Sequence, residues 1–236
     1  MIIPLAIISI LFITIAFMVT EKNARYILAG YNTMSEAERN AFDINSYISF
    51  FRRFYIFLGV SLFVIGVILI YLINENAAIA FLVIYPIVAH FYSISKSVTY
   101  YKGVNSKKSK WAYIVLGATL VFVVILFSTG NRESELTFDS QKIEIKGMYG
   151  EVLTPDQIKS IELVNELPEI VLRTNGFSSG TVNKGYFDTK SKENVKLIIN
   201  SDQKPLILIT NIKGKKIYYS AKSKPNEEIF NALKNA

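Results

Sequence analysis

Long apolar stretches separated by short polar ones fill the first half of the chain, and short alternating runs fill the second. Ile2 to Val19 gives 18 residues without a charge, as a helix roughly 27 Å long and close to the thickness of a hydrocarbon core. Similar stretches recur at 55–73, 77–94 and 111–127. The pattern predicts an all-α, four-helix membrane half over residues 1–128. A cleaved signal peptide is the rival reading of the first stretch. Against it, no basic segment precedes the run, and Met18-Val19-Thr20-Glu21-Lys22 offers no small-x-small cleavage site.

The polar break from Glu21 to Phe54 organises this half. The first helix is expected to run on to Leu28-Ala29, with Gly30 taking the left-handed conformation that ends it. Ser35 then starts a helix, because its hydroxyl can cap and Glu38 three residues on completes a capping box. Asp43 signals a further start. After it Ile44, Tyr47, Ile48, Phe51, Phe54 and Tyr55 recur at helical spacing, which predicts a helix lying in the interface before the chain turns into the second span. The second and third spans are separated only by Asn74-Glu75-Asn76, a tight hairpin.

With 51% apolar residues and a positive mean hydropathy, the composition is that of a membrane protein. The net charge of +7 changes the picture through its distribution. Up to residue 128 there are 10 Lys+Arg against 5 Asp+Glu, and from 129 onward 16 against 14. The excess therefore reflects topology rather than a nucleic-acid partner. Lys22, Arg25, Arg39, Arg52 and Arg53 lie in the first loop, and Lys96, Lys102, Lys107, Lys108 and Lys110 in or beside the third. The positive-inside rule puts both loops in the cytoplasm of a bacterial cell and the N-terminus and C-terminal half outside it. A ligand for the lysine loop, anionic lipid or nucleotide, is the less economical reading.

Within the spans, His90 is the one ionisable side chain that invites a function. It lies near a span end beside Tyr92, Ser93 and Ser95, and no span holds a carboxylate to partner it, so a structural tie to a neighbouring helix is the simpler reading. Gly59 and Gly66, seven apart, read as a close helix–helix contact. The run Ala29-Gly30-Tyr31-Asn32-Thr33-Met34-Ser35, followed by Glu36, Glu38 and Asp43, resembles an uncharacterised bacterial membrane family, domain of unknown function 3784, over roughly residues 1–95. The resemblance implies a multi-pass bacterial membrane protein and no catalysis. Ala37, Arg39 and Asn40 stand where that family usually carries lysines. Gly30, Tyr31, Asn32 and Ser35 are thus candidate motif residues, and a helix-turn-helix at the membrane surface accounts for Gly30 and Ser35 without any ligand.

From Glu135 onward the spacing of short β-rich runs predicts a sandwich or barrel. The expected strands include 136–138, 143–145, 158–164, 170–173, 185–187, 195–199, 206–209 and 216–219. Asn175-Gly176 is expected to turn a hairpin, and Thr174 to Lys184 to form a long loop tipped by Phe177. Pro225, Glu227 and Glu228 suit the first turn of a closing helix carrying Ile229, Phe230 and Leu233. Strands followed by one helix over 132–236 resemble the bacterial pleckstrin-homology-like domains. The carriers of that likeness are Ile158 to Ile161, the Arg173-to-Phe177 turn, Gly185-Tyr186-Phe187 and Pro205 before Leu206. The turn Asp139-Ser140-Gln141-Lys142 holds one lysine where phosphoinositide binders carry several, which argues against inositol lipids.

The chain has no cysteine and one histidine, and it lacks a Gly-rich phosphate loop, H-E-x-x-H and G-x-S-x-G. Ser178 and Ser179 have no histidine in their half to serve as base. No catalytic residue, cofactor or metal is expected. The reading is a non-enzymatic integral membrane protein whose β domain binds a protein, peptide or envelope component, with Phe177, Arg173 and Asn175 as candidate partner or lipid contacts. The alternative is a small transporter or channel using the helices and His90.

Overall fold

The computed structural model describes residues 1–101 and 109–234. Three of the lysines assigned to the third loop, Lys102, Lys107 and Lys108, lie outside the described residues. The chain divides into two compact units, Met1–Val124 and Ile125–Ala236.

In the helical unit the order is α1 (Ile2–Met18), α2 (Ala24–Ile27), α3 (Glu36–Asn40), α4 (Ile44–Leu72), α5 (Glu75–Ser97), a 3₁₀ turn over Val98–Tyr100, and α6 (Ser109–Asn131), whose last residues belong to the β unit. Among the described residues three helices, 44–72, 75–100 and 110–131, are long and apolar enough to cross a membrane. α1 is a shorter apolar helix of 17 residues. Large apolar side chains such as Ile3, Ile7, Phe57, Leu72, Val115 and Phe122 are exposed along these helices, the surface expected of helices in lipid rather than water.

Two sequence expectations fail here. α1 stops at Met18 instead of running to Leu28, because Asn23 closes the chain back on the helix end. Its amide donates to the Met18 carbonyl (2.8 Å) and its Oδ1 accepts from the Thr20 amide (2.7 Å). Nor is there an interfacial helix that turns into the second span: Ile44 to Leu72 is one helix of 29 residues, capped by Asp43 Oδ1 accepting from the Ser46 amide (3.1 Å). Nothing in the sequence between them breaks it.

α1 packs on α4 through the two glycines. A Cβ at Gly59 would lie 2.6 Å from the Ser9 carbonyl oxygen, and one at Gly66 would lie 2.7 Å from the Leu5 methyls. Backbone cannot yield as a side-chain tip can, so Gly59→Ala is expected to loosen this seam by about 1–2 kcal/mol. The check is the midpoint of thermal unfolding in detergent, where Gly66→Ala, meeting only methyl groups, should cost less. α4 and α5 are joined by Ser61 Oγ to Tyr85 OH (2.7 Å) and Tyr55 OH to His90 Nε2 (3.0 Å). Met1's amine reaches Glu75 (3.6 Å), and Ser95 Oγ meets Tyr113 OH (2.7 Å). Asn74 and Glu75 thus share one end of the unit with the N-terminus, and the start of α6 lies beside the end of α5.

Among the described residues the β unit has nine strands: β1 (Leu136–Phe138), β2 (Ile143–Ile145), β3 (Glu151–Leu153), β4 (Ile158–Val164), β5 (Ile170–Ser179), β6 (Val182–Thr189), β7 (Asn194–Ile199), β8 (Leu206–Asn211) and β9 (Lys216–Ser220), followed by α7 (Asn226–Lys234). β1-β2-β3 form an antiparallel sheet, and β4-β8-β9-β7-β6-β5 a mixed one in which β7 and β9 run parallel. Period-two alternation sets the layers. Ile198, Ile207, Ile209, Ile217 and Tyr219 face the small sheet and α7, burying Ile145, Leu153 and Phe230. Leu197, Ile199, Leu206 and Tyr218, one residue out of phase, form a second cluster with Phe187 and Val195. Val164 of β4 and Ile170 of β5 pack on this second cluster, so the sheet's two outermost strands reach one core.

The sequence reading of 170–184 is corrected. β5 continues through Asn175-Gly176 to Ser179, and the hairpin turns five residues later than expected, at Gly180-Thr181, with Gly180 at φ +55°. Thr174 to Lys184 is therefore two paired strands rather than a loop, and Phe177 is a buried side chain rather than a tip. β3 was not among the expected strands.

Candidate functional site

A concavity in the helical unit lies under the segment that the motif specifies. Ser35 and Glu38 form the capping box: the Ser35 amide and hydroxyl both donate to Glu38 Oε2 (2.7 and 2.9 Å), and the Glu38 amide donates to Ser35 Oγ (3.3 Å). Gly30 sits at φ +90°, where a side chain would be strained. Its amide donates to Asn32 Oδ1 (3.2 Å) and its carbonyl accepts from Thr33 Oγ1 (3.2 Å). Gly30, Asn32 and Ser35 thus build the turn. Tyr31 has another part, lying against Phe42 at 5.7 Å between centroids.

Phe42 is the hub of an aromatic group that the sequence reading did not assemble. Its ring lies 5.3 Å from Tyr47 and 4.8 Å, edge-on, from Tyr101. Backbone closes the arrangement, with an isolated antiparallel bridge between Phe42 and Tyr101 and the Asp43 amide donating to the Tyr100 carbonyl (2.9 Å). Between these rings, the turn from Leu28 to Met34 and the last turns of α5 is a cavity of about 190 Å³. Ser93 and Ser97 line it, as does Ala112 at the start of α6. Burial first, and then the Glu38 carboxylate, push the Tyr101 phenol up.

His90 stands apart from this cavity. Nε2 meets the Tyr55 hydroxyl, and Nδ1 lies 2.6 Å from the Pro86 carbonyl. A carbonyl can only accept, so Nδ1 carries a proton, and the tyrosine hydroxyl, which can give or take, completes the tie at Nε2.

In the β unit, Arg173 and Asn175 are exposed on β5, and Asn175 Oδ1 accepts from the Tyr149 hydroxyl (2.7 Å). Phe177 is occupied, stacked edge-on with Phe127 at 5.9 Å. The three are neighbours along one strand, but they do not converge on a cavity. Two buried lysines escaped the sequence reading. Lys184 is fully buried, and its Nζ donates to the Arg132 carbonyl. Burial pulls its pKa down to about 8 although the Glu133 carboxylate opposes the shift. Lys196 pairs with Glu151 (2.6 Å), which also meets Lys215 (3.2 Å), while Tyr186 lies under both ammonium groups. Burial raises the Glu151 carboxyl, but the two ammoniums outweigh it and hold it below the usual range. Alternation could have marked Lys184 and Lys196 as inward-facing; the third-strand partner Glu151 left no signal.

Among the described residues no group of His, Asp and Glu is placed to hold a metal ion. Compared with known families, residues 6–101 match the one described as Domain of unknown function (DUF3784), a match that spans α1 to α5 and the aromatic group and ends before the β unit. Among curated proteins and solved structures nothing matches the chain.

Proposed function

We propose that this is a membrane-anchored, non-enzymatic binding protein. The helical unit, α1 crossing the bilayer with the other three long helices, anchors it, and the β unit presents a binding surface to a protein, peptide or envelope component. The observation that carries the reading is the division into two compact units with separate cores, one apolar on its outside and one a β fold with a buried core of its own. Two sheets closed by a C-terminal helix support a pleckstrin-homology-like identity for the second. The parallel β7–β9 pair is the feature that such an identity has to accommodate. The contact surface we favour is the outer edge of β5, the last strand of its sheet, where Val171, Leu172 and Arg173 are exposed. Unpaired strand edges with apolar side chains accept an added strand.

Lys22, Arg25, Arg39, Arg52, Arg53, Lys96 and Lys110 favour a cytoplasmic position for the end of the helical unit opposite Asn74-Glu75, which puts the β unit outside the cytoplasm. Because the chain has no cysteine, single cysteines read this directly. With a membrane-impermeant maleimide on intact cells, Ser223→Cys and Asn76→Cys should label and Asn40→Cys should label only after permeabilisation. The opposite pattern would invert the topology and move the search to cytoplasmic partners.

A second reading, a small transporter or channel, draws on the polar contacts Tyr55–His90 and Ser61–Tyr85 between α4 and α5. If these are ties, His90→Leu loses about 1 kcal/mol of stability in detergent and His90→Gln less, with growth and ion flux unchanged. Altered flux in a stably inserted His90→Gln variant would favour transport.

A further inference from the structure

We propose that the cavity beneath the Gly30–Met34 turn is a binding site for a small organic cation of the methylated ammonium class. Its size of about 190 Å³ is many times the roughly 10–15 Å³ that one water needs and admits a quaternary ammonium group.

Three independent features set the sign of the charge. Tyr31, Phe42, Tyr47 and Tyr101 all line the cavity, and ring faces attract cations, the more so where water is excluded. The floor is the C-terminal end of α5, a helix of 23 residues, where aligned peptide dipoles leave about half a negative charge. The wall at Tyr101 feels the Glu38 carboxylate. No lysine or arginine is among the described lining residues, although this end of the helical unit is rich in them. A basic side chain in the cavity would fill the place of the ligand; the polar residues that line it, Ser93 and Ser97, carry no charge. An anion would meet the wrong end of the helix dipole, and a neutral apolar molecule would gain nothing from it. The site is independent of the partner-binding role proposed for the β unit.

The test uses the full-length protein in nanodiscs of phosphatidylglycerol. Choline is titrated against its uncharged carbon analogue, in which a quaternary carbon replaces the nitrogen, by calorimetry and by the fluorescence of Trp111, the chain's single tryptophan and the neighbour of the lining residue Ala112. Choline should bind saturably and the carbon analogue about tenfold more weakly, which is 1.4 kcal/mol and falls between the cation–π attraction of an exposed and of a desolvated site. Tyr31→Leu should weaken choline by a similar factor while Tyr31→Phe, which keeps the ring, does not. Both variants are compared by unfolding midpoint so that misfolding is not read as lost affinity. Equal binding of the carbon analogue, or no saturable choline signal, overturns the proposal. Repeating the titration in phosphatidylcholine discs separates the sources. A raised apparent Kd assigns the site to a lipid headgroup and an unchanged one to a free cation, and either result keeps the ammonium chemistry.

Discussion

Replacing Lys184 with methionine is expected to stabilise the β unit at neutral pH and to erase a rise in stability that the parent protein shows between about pH 8 and pH 10. Burial pulls the Lys184 pKa from 10.5 down to about 8. Below pH 8 the ammonium is charged in both the folded and the unfolded chain, and the folded state bears the full cost of burying it. Between 8 and 10.5 the unfolded chain holds a proton that the folded chain has released, so stability climbs with pH. At 1.36 kcal/mol per pKa unit the climb is about 2–3 kcal/mol. Methionine removes that cost and loses the bond to the Arg132 carbonyl. Losing one such bond costs about 1 kcal/mol. The net expectation is a gain of about 1–2 kcal/mol at pH 7, measured by urea unfolding followed through near-ultraviolet circular dichroism. The readable window closes near pH 10. There, burial has pushed the Tyr219 phenol well above its ordinary value, so the unfolded chain loses that proton first and stability turns down. A flat profile from pH 7 to 10 in the parent would mean that water reaches the Lys184 ammonium.

What the sequence made legible and what it hid divide along the range of the interactions. The S-x-x-E box at Ser35 and the Asp43 cap were readable because both partners lie within one helical turn, and the observed bonds are the ones the spacing dictates. Helix α7 was readable for the same reason, its apolar side fixed by Ile229 and Phe230 packing on the sheet. The break after Met18 was hidden because one asparagine side chain makes it, and asparagine is unremarkable inside a polar stretch. The aromatic cavity was out of reach, since Phe42 and Tyr101 meet only through a bridge between segments far apart in sequence. Tyr31 was noticed as part of a motif, but no local rule gave it Phe42 as a neighbour.

Asn175-Gly176 is the most instructive error. The dipeptide signals a hairpin because the two-residue turn it favours needs φ above zero at both positions. Gly176 does not take that conformation, whereas Gly180 does. Gly176 instead lies opposite Gly185 on β6, and a Cβ on it would lie 2.5 Å from the Lys184 carbonyl oxygen. The glycine is there for space between strands and not for the turn, a distinction that only the pairing partner reveals.

That relocated turn decides what Phe177 is worth. A phenylalanine at the tip of an exposed loop can be truncated for less than about 0.5 kcal/mol. In the paired strand, Phe177 faces the same way as Lys184 opposite it, is 8% exposed, and closes edge-on against Phe127 near the end of α6. Phe177→Ala removes a buried ring and leaves a cavity between strand and helix, for an expected loss of about 3 kcal/mol, with Phe177→Leu costing about 1 kcal/mol because most of the volume is kept. Phe127→Ala should destabilise the same contact, and the double variant should lose less than the sum, since each single change already strands the other ring. Unfolding midpoints of the four proteins in detergent measure this. Additive losses, or a Phe177→Ala protein as stable as its parent, would show that the ring is free and return it to the list of surfaces a partner can use. If instead the coupling appears, partner contact on this hairpin falls to the exposed half of β5, to Arg173 and its apolar neighbours Val171 and Leu172, and substitutions there should weaken binding without moving the midpoint.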